Sequence, residues 1–390
     1  MYTRNHVSEG PLHNIVVVDL TRQLAGPQAT RVLADMGAKV IKVEQEGSTG
    51  DIMSRSKVAF AWISNNKERV SMDLRSEDGK RQLEMLLKDA DVLVENFKAG
   101  VIEQMGFGWE RVHRMFPKLI MCSISGFGQT GPWKNRPAMD VVIQAMSGIM
   151  STTGFSDKPP VGVGAPIADV TAGLYGSIGI LSAIIGRGTT DLGSYVDVGM
   201  LDVMAAVVAP LLIRSLNSTP GFDNGKQPAR SGSSSRSAAP FDTYRTKDGL
   251  IALIGMQSHF YERICDVIER PGMKAENDAR FKTTVHRRRN YGLFKGMLEE
   301  ALSHRTTDEW MEKFSNEGVP CGRVNNLQEA LAEPQLQYRK MTMSLHNTDE
   351  TGKKNPIHLI ASPLNISGWS KRKPWVKRED ENGTFYRSKM

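Results

Sequence analysis

Asp169 stands where a loop meets a long helix, a position at which a carboxylate can carry chemistry. The segment Ala165–Gly176 reads APIADVTAGLYG, and its small residues are typical of a closely packed helix. Unpaired amides and the dipole at a helix start favour the ionised form of such a carboxylate. The carboxylate can simply cap the helix, or it can act as a nucleophile that forms a covalent intermediate at an activated carbonyl. Position alone leaves both interpretations open.

A glycine pattern, Gly126-Phe-Gly-Gln-Thr-Gly131, follows a predicted strand and matches G-x-G-x-x-G, the fingerprint of dinucleotide sites. That fingerprint needs a helix that starts within the glycines, so that its first amides meet the pyrophosphate. Here Pro132-Trp133-Lys134 follow at once, and no acidic residue stands at the expected distance after a next strand. We therefore predict no NAD or FAD site at these glycines.

The first 216 residues alternate short β-branched segments with amphipathic ones. This rhythm predicts an α/β fold in which a parallel sheet carries helices on both faces, a Rossmann-like arrangement. The predicted strands are 14–20, 39–44, 91–97, 119–125 and 194–198. The predicted helices are 27–36, 76–90, 109–116, 140–150, 169–185 and 200–216.

Composition suggests where the domains end. We predict a large domain at 1–216, followed by a linker and active-site loop at 217–238, where Gly, Ser, Pro and Asn are abundant. A smaller α+β domain is predicted at 239–325, beginning with a strand in the stretch DGLIALIGM. The remaining residues, 326–390, are assigned to a return segment and a tail.

Charge and cysteine usage argue against several classes of protein. The formal net charge is +7, but the basic runs His286–Arg289 and Lys371–Lys377 lack interleaved aromatic residues, so no nucleic-acid partner is predicted. Cys122, Cys265 and Cys321 are too widely spaced for a zinc site or a disulfide framework, and we predict no metal. No signal segment or apolar stretch of spanning length is predicted either, so we expect a cytoplasmic protein without a membrane partner.

Six motifs resemble those of the class III CoA-transferase family, and they keep the family's order from about residue 11 to about residue 368. That family includes formyl-CoA transferase, carnitine CoA-transferase and succinyl-CoA:glutarate CoA-transferase, with α-methylacyl-CoA racemase as a cousin. The motifs are LAGP (24–27), DMGAKVIKVE (35–44), NK (66–67), VENF (94–97), GFGQTGP (126–132) and IADVTAG (167–173).

The resemblance implies that Asp169 is the nucleophile and that coenzyme A enters as the acyl-CoA co-substrate. Asp169 would form an anhydride with the donor acyl group, then a thioester with CoA, and the acceptor carboxylate would reverse these steps. Thioester energy is conserved along this route, so it implies neither ATP, nor a metal, nor a redox nucleotide. The resemblance also implies an interlocked homodimer in which 326–390 returns to the large domain, although the tail KPWVKREDENGTFYRSKM departs from the family pattern.

Motif positions also imply a set of CoA contacts at the carboxyl ends of the strands, where α/β sheets bind ligands. Arg75 and Lys98 are expected to meet phosphates. Gln45 and Gln104 stand where many relatives carry arginine. The phosphate contacts of those arginines are therefore expected to be made by other residues, such as Arg22 or Arg136. The full predicted set is Leu24, Ala25, Met72, Asp73, Leu74, Arg75, Asn96, Phe97, Lys98, Met105, Arg136 and Asp140.

The racemase relatives exchange a proton α to a thioester, using a histidine in a G-H-D motif together with the shared aspartate. The matching tripeptide here is Ala138-Met139-Asp140. Because methionine cannot accept a proton, one of the two bases is missing. This favours a CoA-transferase over a racemase or epimerase, and the intact aspartate loop disfavours a binding protein with a dead site.

The segment Arg230–Arg236 (RSGSSSR) lies where formyl-CoA:oxalate enzymes carry a run of glycines. A different loop implies a different acid, so we predict succinyl-CoA as donor and a small dicarboxylate as acceptor rather than formyl-CoA and oxalate. Arg230 or Arg236 could pair with the distal carboxylate of such a substrate. A solvated loop without this role is the alternative for both arginines.

Overall fold

A computed structural model provides the structure and describes residues 10–46, 51–217, 230–348, 354–370 and 373. The chain divides into two compact units. The first contains the described residues of 1–150, 162–227 and 334–390, and the second those of 151–161 and 228–333. Most of the predicted linker (218–229) and of the polar tail (374–390) lies outside the described residues.

The first unit is built on a six-stranded sheet in which all neighbouring strands are parallel. The strand order β3-β2-β1-β4-β5-β6 is that of a doubly wound sheet, so the predicted Rossmann-like α/β architecture is confirmed. The strands are β1 (Val16–Asp19), β2 (Lys39–Gln45), β3 (Lys67–Met72), β4 (Val92–Glu95), β5 (Ile120–Ser125) and β6 (Tyr195–Gly199).

Two predicted helices are interrupted. The predicted helix 140–150 breaks at Gly148, which has a φ of +87°, and the predicted helix 200–216 breaks at Val208 because Pro210 cannot donate an amide to continue it. The helices up to residue 216 are α1 (Ala25–Asp35), α2 (Lys57–Ile63), α3 (Glu77–Lys88), α4 (Val101–Gln104), α5 (Trp109–Met115), α6 (Asp140–Met146), α7 (Ile149–Thr152), α8 (Ile167–Thr190), α9 (Met200–Val207) and α10 (Ala209–Leu216).

Successive residues of each strand enter opposite halves of the core, because strand side chains alternate between the two faces of a sheet. Val17 packs with α1, α8 and α9 on one face. Its neighbour Val18 packs on the other face, with Leu83 and Leu87 of α3 and Val112 of α5. Both faces are therefore covered, which a parallel sheet requires.

Helix α8 corrects the expectation that no segment is long and apolar enough to cross a membrane. Within the described residues it is the one helix that meets that test by length and composition. One of its faces is buried against α1 and β5: Ala172, Gly173 and Gly176 bring the helix close, and a Cβ at Gly173 would lie 2.6 Å from the Ala25 carbonyl oxygen. The apolar composition of α8 is thus used, at least on this side, in the core of the α/β unit.

The second unit combines an antiparallel three-stranded sheet with helices around its own core, which confirms the predicted α+β character. Tyr244, Leu253, Phe294 and Phe314 are among its fully buried side chains. Its elements are β7 (Phe241–Arg245), β8 (Leu250–Ile254), α11 (Ser258–Val267), α12 (Thr284–Arg289), α13 (Tyr291–Leu302), α14 (Thr307–Asn316), β9 (Cys321–Arg323) and α15 (Leu327–Ala332).

The second unit continues to Glu333, beyond the predicted domain end at 325. In addition, residues 151–161, predicted to belong to the large domain, cluster with the second unit. Hydrogen bonds explain this. The Arg230 guanidinium donates to the carbonyl oxygens of Phe155 (3.1 Å) and Lys158 (2.7 Å), and the Gly232 amide donates to the Gly154 carbonyl (2.9 Å).

The chain after residue 333 belongs to the first unit and contains α16 (Pro334–Tyr338) and an antiparallel pair, β10 (Thr342–Thr348) and β11 (Lys354–Ile360). Strand β11 contacts α2. Arg31 on α1 donates to the Ile360 carbonyl oxygen at 2.6 Å. The end of the described chain is thereby tied to the first helix.

A buried ionic cluster joins β1, β2, β3 and α1. Asp19 Oδ2 lies 3.0 Å from the Lys67 ammonium and Asp19 Oδ1 lies 3.4 Å from that of Lys42. Asp19 also accepts from the hydroxyls of Thr21 (2.5 Å) and Thr30 (2.6 Å). Burial opposes the ionisation of Asp19, but the two lysines and two hydroxyls outweigh it and hold its pKa below the usual value. The carboxylate therefore stays charged in the core.

Lys67→Met should destabilise the first unit strongly, because the buried Asp19 carboxylate loses a fully buried partner. Removing one member of a buried ion pair costs about 3–5 kcal/mol. The matched control is Lys39→Met, which removes an exposed lysine 3.6 Å from Glu68 and should cost less than about 1 kcal/mol. Urea unfolding followed by circular dichroism measures both, and similar losses in the two variants would contradict the role given to the cluster.

Candidate active site

Loops after β1 and β4 diverge at the point where the strand order reverses, which is where doubly wound sheets form a crevice. The two loops are joined by reciprocal hydrogen bonds. The Asn96 side chain accepts from the Arg22 amide (2.7 Å) and donates to the Arg22 carbonyl (2.8 Å). Gln23, in the first loop, adopts a left-handed φ of +62°, and its amide donates to Asp51 at 2.5 Å.

A cavity of about 270 Å³ opens at this crevice. Its floor is apolar, since Ala25, Ile124 and Met200 are all buried residues. The cavity is lined by residues 23–25, 96–99, 124–126 and 136–139, together with Lys134, Asp169 and Met200. All of these belong to the first unit.

Among the residues that the structure describes, Asp169 is the only acidic one that lines this cavity. It is the third residue of α8 and is partly buried. Burial, reinforced by the nearby Asp140 carboxylate, raises the pKa of Asp169 to about 6. Its carboxylate makes no hydrogen bond to any other described residue, so none of the usual donors stabilises its charge.

The start of α8 is capped by Asp140 rather than by Asp169. Asp140 Oδ1 accepts from the amides of Ala168 (2.8 Å) and Asp169 (3.2 Å). The expectation that unpaired helix amides hold Asp169 ionised is therefore wrong, because a carboxylate from α6 already occupies those amides. The helix start instead places a second negative charge beside Asp169, which adds to the rise in its pKa.

Gln144 fixes the capping carboxylate in place. Its amide nitrogen donates to Asp140 Oδ2 at 2.5 Å, and its amide oxygen accepts from the Val163 amide at 2.9 Å. The side chain is almost completely buried. The loop that leads into Asp169 is thus held to α6 through a single glutamine.

Gly126 lets the segment before α6 approach the end of β5. A Cβ at Gly126 would lie 2.2 Å from the Ala138 Cβ, so only glycine fits. The contact brings Ala138 and Met139 to the cavity wall opposite the β1 loop. The glycine pattern first tested as a dinucleotide fingerprint therefore has a packing role, and the next helix begins only at Asp140.

Three cations line the cavity: Lys98, Lys134 and Arg136, all with exposed side chains. The Arg136 guanidinium lies over the rings of Trp133 (5.0 Å) and Phe127 (5.8 Å). Exposed cations around an apolar floor suit an anionic ligand whose reacting end is less polar than its remainder.

The structure brings together half of the predicted CoA contacts: Leu24, Ala25, Asn96, Phe97, Lys98 and Arg136 line the cavity with Asp169.

The other predicted CoA contacts lie elsewhere. Met72 and Leu74 are buried in the core with the partly buried Met105, which leaves only their backbone for a ligand. Asp73 instead accepts from Gln45 (2.7 Å) and from Arg75 Nε (3.0 Å), an exposed cluster at the ends of β2 and β3. Asp140 acts as the cap of α8.

The two predicted substrate arginines differ. Arg230 Nε and Nη2 are both used by carbonyl oxygens of the second unit, so its guanidinium has a structural role. Arg236 is exposed and makes no ion pair with another described residue. The pairing of Arg236 with a substrate carboxylate stays a prediction.

Sequence reasoning missed several cavity residues, among them Gln23, Ser125 and Lys134. Their neighbours along the chain, Leu24, the 126–132 motif and Arg136, were singled out, and extending each motif by two residues would have found them. Met139, at the position of the racemase histidine, does line the cavity and is 56% exposed. No histidine is among the residues that line it.

The fold and the cavity do not identify the reaction by themselves, and the comparisons with known proteins define the class of protein. The sequence pattern of CoA-transferase family III matches residues 12–377. The chain therefore belongs to CoA-transferase family III and is a CoA-transferase, as its motifs predicted.

The chain is also similar to two named CoA-transferases and to a solved structure. The chain is 34% identical over 391 residues to the acetyl-CoA:oxalate CoA-transferase of Acetobacter aceti, covering 98% of this chain and 96% of that one. It is 30% identical over 344 residues to the human succinyl-CoA:glutarate CoA-transferase, covering 86% and 77%. A crystal structure of a CaiB/BaiF family protein from Brucella suis is 32% identical, with a TM-score of 0.80, covering 92% of this chain and 93% of that one.

Asp169→Asn should stabilise the protein at alkaline but not at acid pH. A carboxylate whose pKa is raised by folding opposes folding when ionised; this cost is absent below about pH 4, grows through pH 6 and is complete above it. A rise to about 6 corresponds to about 3 kcal/mol, which solvent screening at this partly exposed site reduces to about 1–2 kcal/mol.

Urea unfolding of wild type and variant at pH 4 and pH 8 measures this difference. Asp157→Asn serves as the control, because Asp157 is an exposed aspartate with 72% of its side chain accessible. A gain in stability of equal size at both pH values would show that the carboxylate at position 169 is not electrostatically strained.

Proposed function

We propose that this enzyme transfers CoA from succinyl-CoA to a small dicarboxylic acid through covalent intermediates on Asp169. The observation that carries the proposal is the position of Asp169. It is the one acidic group that lines a cation-rimmed cavity with an apolar floor, and it lacks hydrogen-bond donors from the described residues. An incompletely stabilised carboxylate is a stronger nucleophile than a fully hydrogen-bonded one.

The proposed reaction begins with attack of an Asp169 carboxylate oxygen on the acyl carbonyl carbon. The carbon–sulfur bond breaks, CoA leaves as the thiolate, and a mixed anhydride remains. The thiolate then attacks the Asp169 carbonyl carbon, which releases the donor acid as its carboxylate and leaves an aspartyl-CoA thioester. The acceptor carboxylate repeats the two exchanges in reverse, which restores Asp169.

No proton is transferred in these steps, because a carboxylate and a thiolate alternate as nucleophile and leaving group. The cavity accordingly needs no general base, which agrees with a lining that includes methionine at position 139. It does need Asp169 in its ionised form. Because burial raises the pKa of Asp169 to about 6, activity should fall as the pH drops below that value.

The phosphates and adenine of CoA are proposed to extend from this cavity over the predicted contacts. Lys98, Lys134 and Arg136 supply positive charge at the cavity itself. Gln45, Asp73 and Arg75 form a second polar cluster at the ends of β2 and β3. Arg22, whose guanidinium lies 5.9 Å from the centroid of the Phe97 ring, is a cation beside the β4 loop that could replace the missing arginines.

The acid specificity is proposed from the serine-rich segment and from the relatives. The names of two relatives pair CoA donors with the dicarboxylates oxalate and glutarate. Arg236 is the exposed cation of the Arg230–Arg236 segment whose guanidinium is not engaged with other described residues. We assign it the distal carboxylate of the acid.

A homodimer in the cytoplasm is proposed as the working state. Exposed apolar side chains support the dimer, since Leu174, Ile178 and Ile185 of α8 are 41%, 56% and 76% exposed. Soluble proteins seldom expose such residues in a row unless another surface covers them. A second copy of the chain is the partner that the family resemblance implies.

Asp169→Ala should abolish CoA exchange while leaving the fold intact, because each intermediate is bonded to this side chain. We expect a loss of about three orders of magnitude or more in kcat. The control is Asp197→Asn, an exposed aspartate with a raised pKa that is not among the residues lining the cavity. Mass spectrometry of the wild type after mixing with succinyl-CoA should show an adduct on the peptide that contains residue 169. If Asp169→Ala kept a tenth of the wild-type rate, the assignment of Asp169 as the nucleophile would be contradicted.

Arg236→Gln should weaken the use of dicarboxylates far more than that of monocarboxylates of equal length. A charge-assisted pair with the distal carboxylate is worth about ten- to hundredfold in kcat/KM. Arg230→Gln is the matched control, and it should lower stability while affecting both acid classes alike. Steady-state kinetics with paired acids decides between them. Equal losses for both classes in Arg236→Gln would remove the arginine from the site, and a preference for formyl-CoA with oxalate would overturn the donor assignment.

A further inference from the structure

Glu95 is a buried carboxylic acid for which the proposed reaction has no use. It is the last residue of β4 and is 1% exposed. The next three residues, Asn96, Phe97 and Lys98, all line the cavity. We call residues 96–98 the CoA-binding wall of the cavity. The contacts that position Glu95 therefore also position the beginning of this wall.

The two oxygens of Glu95 differ in their contacts. Oε2 accepts a hydrogen bond from the Phe97 amide at 2.7 Å, which closes the turn from the strand into the cavity wall. Oε1 is buried and has no hydrogen-bond partner among the described residues. Ser123 is its partner in register on β5, and the Ser123 hydroxyl accepts from Tyr195 at 3.1 Å.

The groups that face Glu95 would not stabilise a negative charge. Glu103 of α4 and Asp197 of β6 are both acidic and repel it. Cys122 of β5 and Tyr195 of β6 are neutral, and the charge of Glu95 would raise the pKa of each. Among the described residues, no lysine or arginine forms an ion pair with Glu95. Burial, with these acids, raises the pKa of Glu95 to about 7, although the Phe97 amide donates to its carboxyl group.

We propose that Glu95 is a positioning residue for the CoA-binding wall and that it does this as a neutral acid, whose ionisation loosens the wall. This rests on the proposed CoA function of the cavity. In the neutral form, the carbonyl oxygen of the Glu95 side chain accepts the hydrogen bond from the Phe97 amide, and the hydroxyl of the same side chain can donate toward Ser123. Loss of the proton leaves a buried charge without a countercharge, and the turn must open toward water to solvate it. CoA affinity should then decline above neutral pH.

Glu95→Gln provides the test, because the amide keeps the shape and both hydrogen-bonding roles but cannot ionise. Titration calorimetry with coenzyme A alone, between pH 6 and pH 8.5, measures the Kd of CoA at this wall in the absence of turnover. For wild type we expect the Kd to rise about tenfold between pH 6 and pH 8, as expected for a group with a pKa near 7 that must be protonated. For Glu95→Gln the corresponding rise should be absent, apart from the ionisation of CoA itself, which both proteins share.

Glu103→Gln supplies a second variant at an exposed position, so that the test survives if Glu95→Gln fails to fold. Removing this repelling charge eases the ionisation of Glu95, and the rise in Kd should move to lower pH while keeping its size. A flat wild-type profile, or equal slopes in wild type and Glu95→Gln, would overturn the proposal while leaving the reaction at Asp169 standing. Absence of CoA binding at every pH would refute the CoA function and this inference together.

Discussion

The charged group that the first unit depends on is Asp19, which is buried between two lysines and two threonines. A carboxylate in a core is costly unless several partners compensate it, and here the partners come from different elements: Lys42 from β2, Lys67 from β3 and Thr30 from α1. The same Lys67 ammonium donates to the Pro27 carbonyl in the first turn of α1. The β1 loop and the start of α1, which supply residues 23–25 of the cavity, are thus held by one buried charge cluster.

The surroundings of Asp169 are the opposite of those of Asp19. Where Asp19 is surrounded by donors and cations, Asp169 faces an apolar floor and the capping carboxylate of Asp140. The two aspartates have pKa values displaced in opposite directions by their surroundings, although both are shielded from water. The first environment stabilises a charge with several partners, and the second leaves a charge without donors among the described residues. This contrast is the physical basis for assigning structure to the first aspartate and chemistry to the second.

The sequence predicted the fold class, five of the six strands and the nucleophile candidate, because these depend on local periodicity and on motifs. It did not predict the Asp140 cap, since the capping carboxylate lies 28 residues from Ala168 along the chain. Nor did it predict that residues 151–161 join the second unit, because that assignment depends on the Arg230 hydrogen bonds. The missed features share one cause: they are contacts between segments far apart in sequence, which periodicity does not encode.

The division of the chain into units affects how the protein can be synthesised and cut. Between residues 150 and 334 the polypeptide passes from one unit to the other four times. The first unit lacks β10 and β11, and the Ile360 carbonyl that Arg31 binds, until the last part of the chain has left the ribosome. A chain cut anywhere between residues 151 and 360 therefore lacks part of the first unit, and a cut before residue 333 also removes part of the second. The enzyme is consequently not a pair of exchangeable modules, and its folding cannot be completed in the order in which its residues are made.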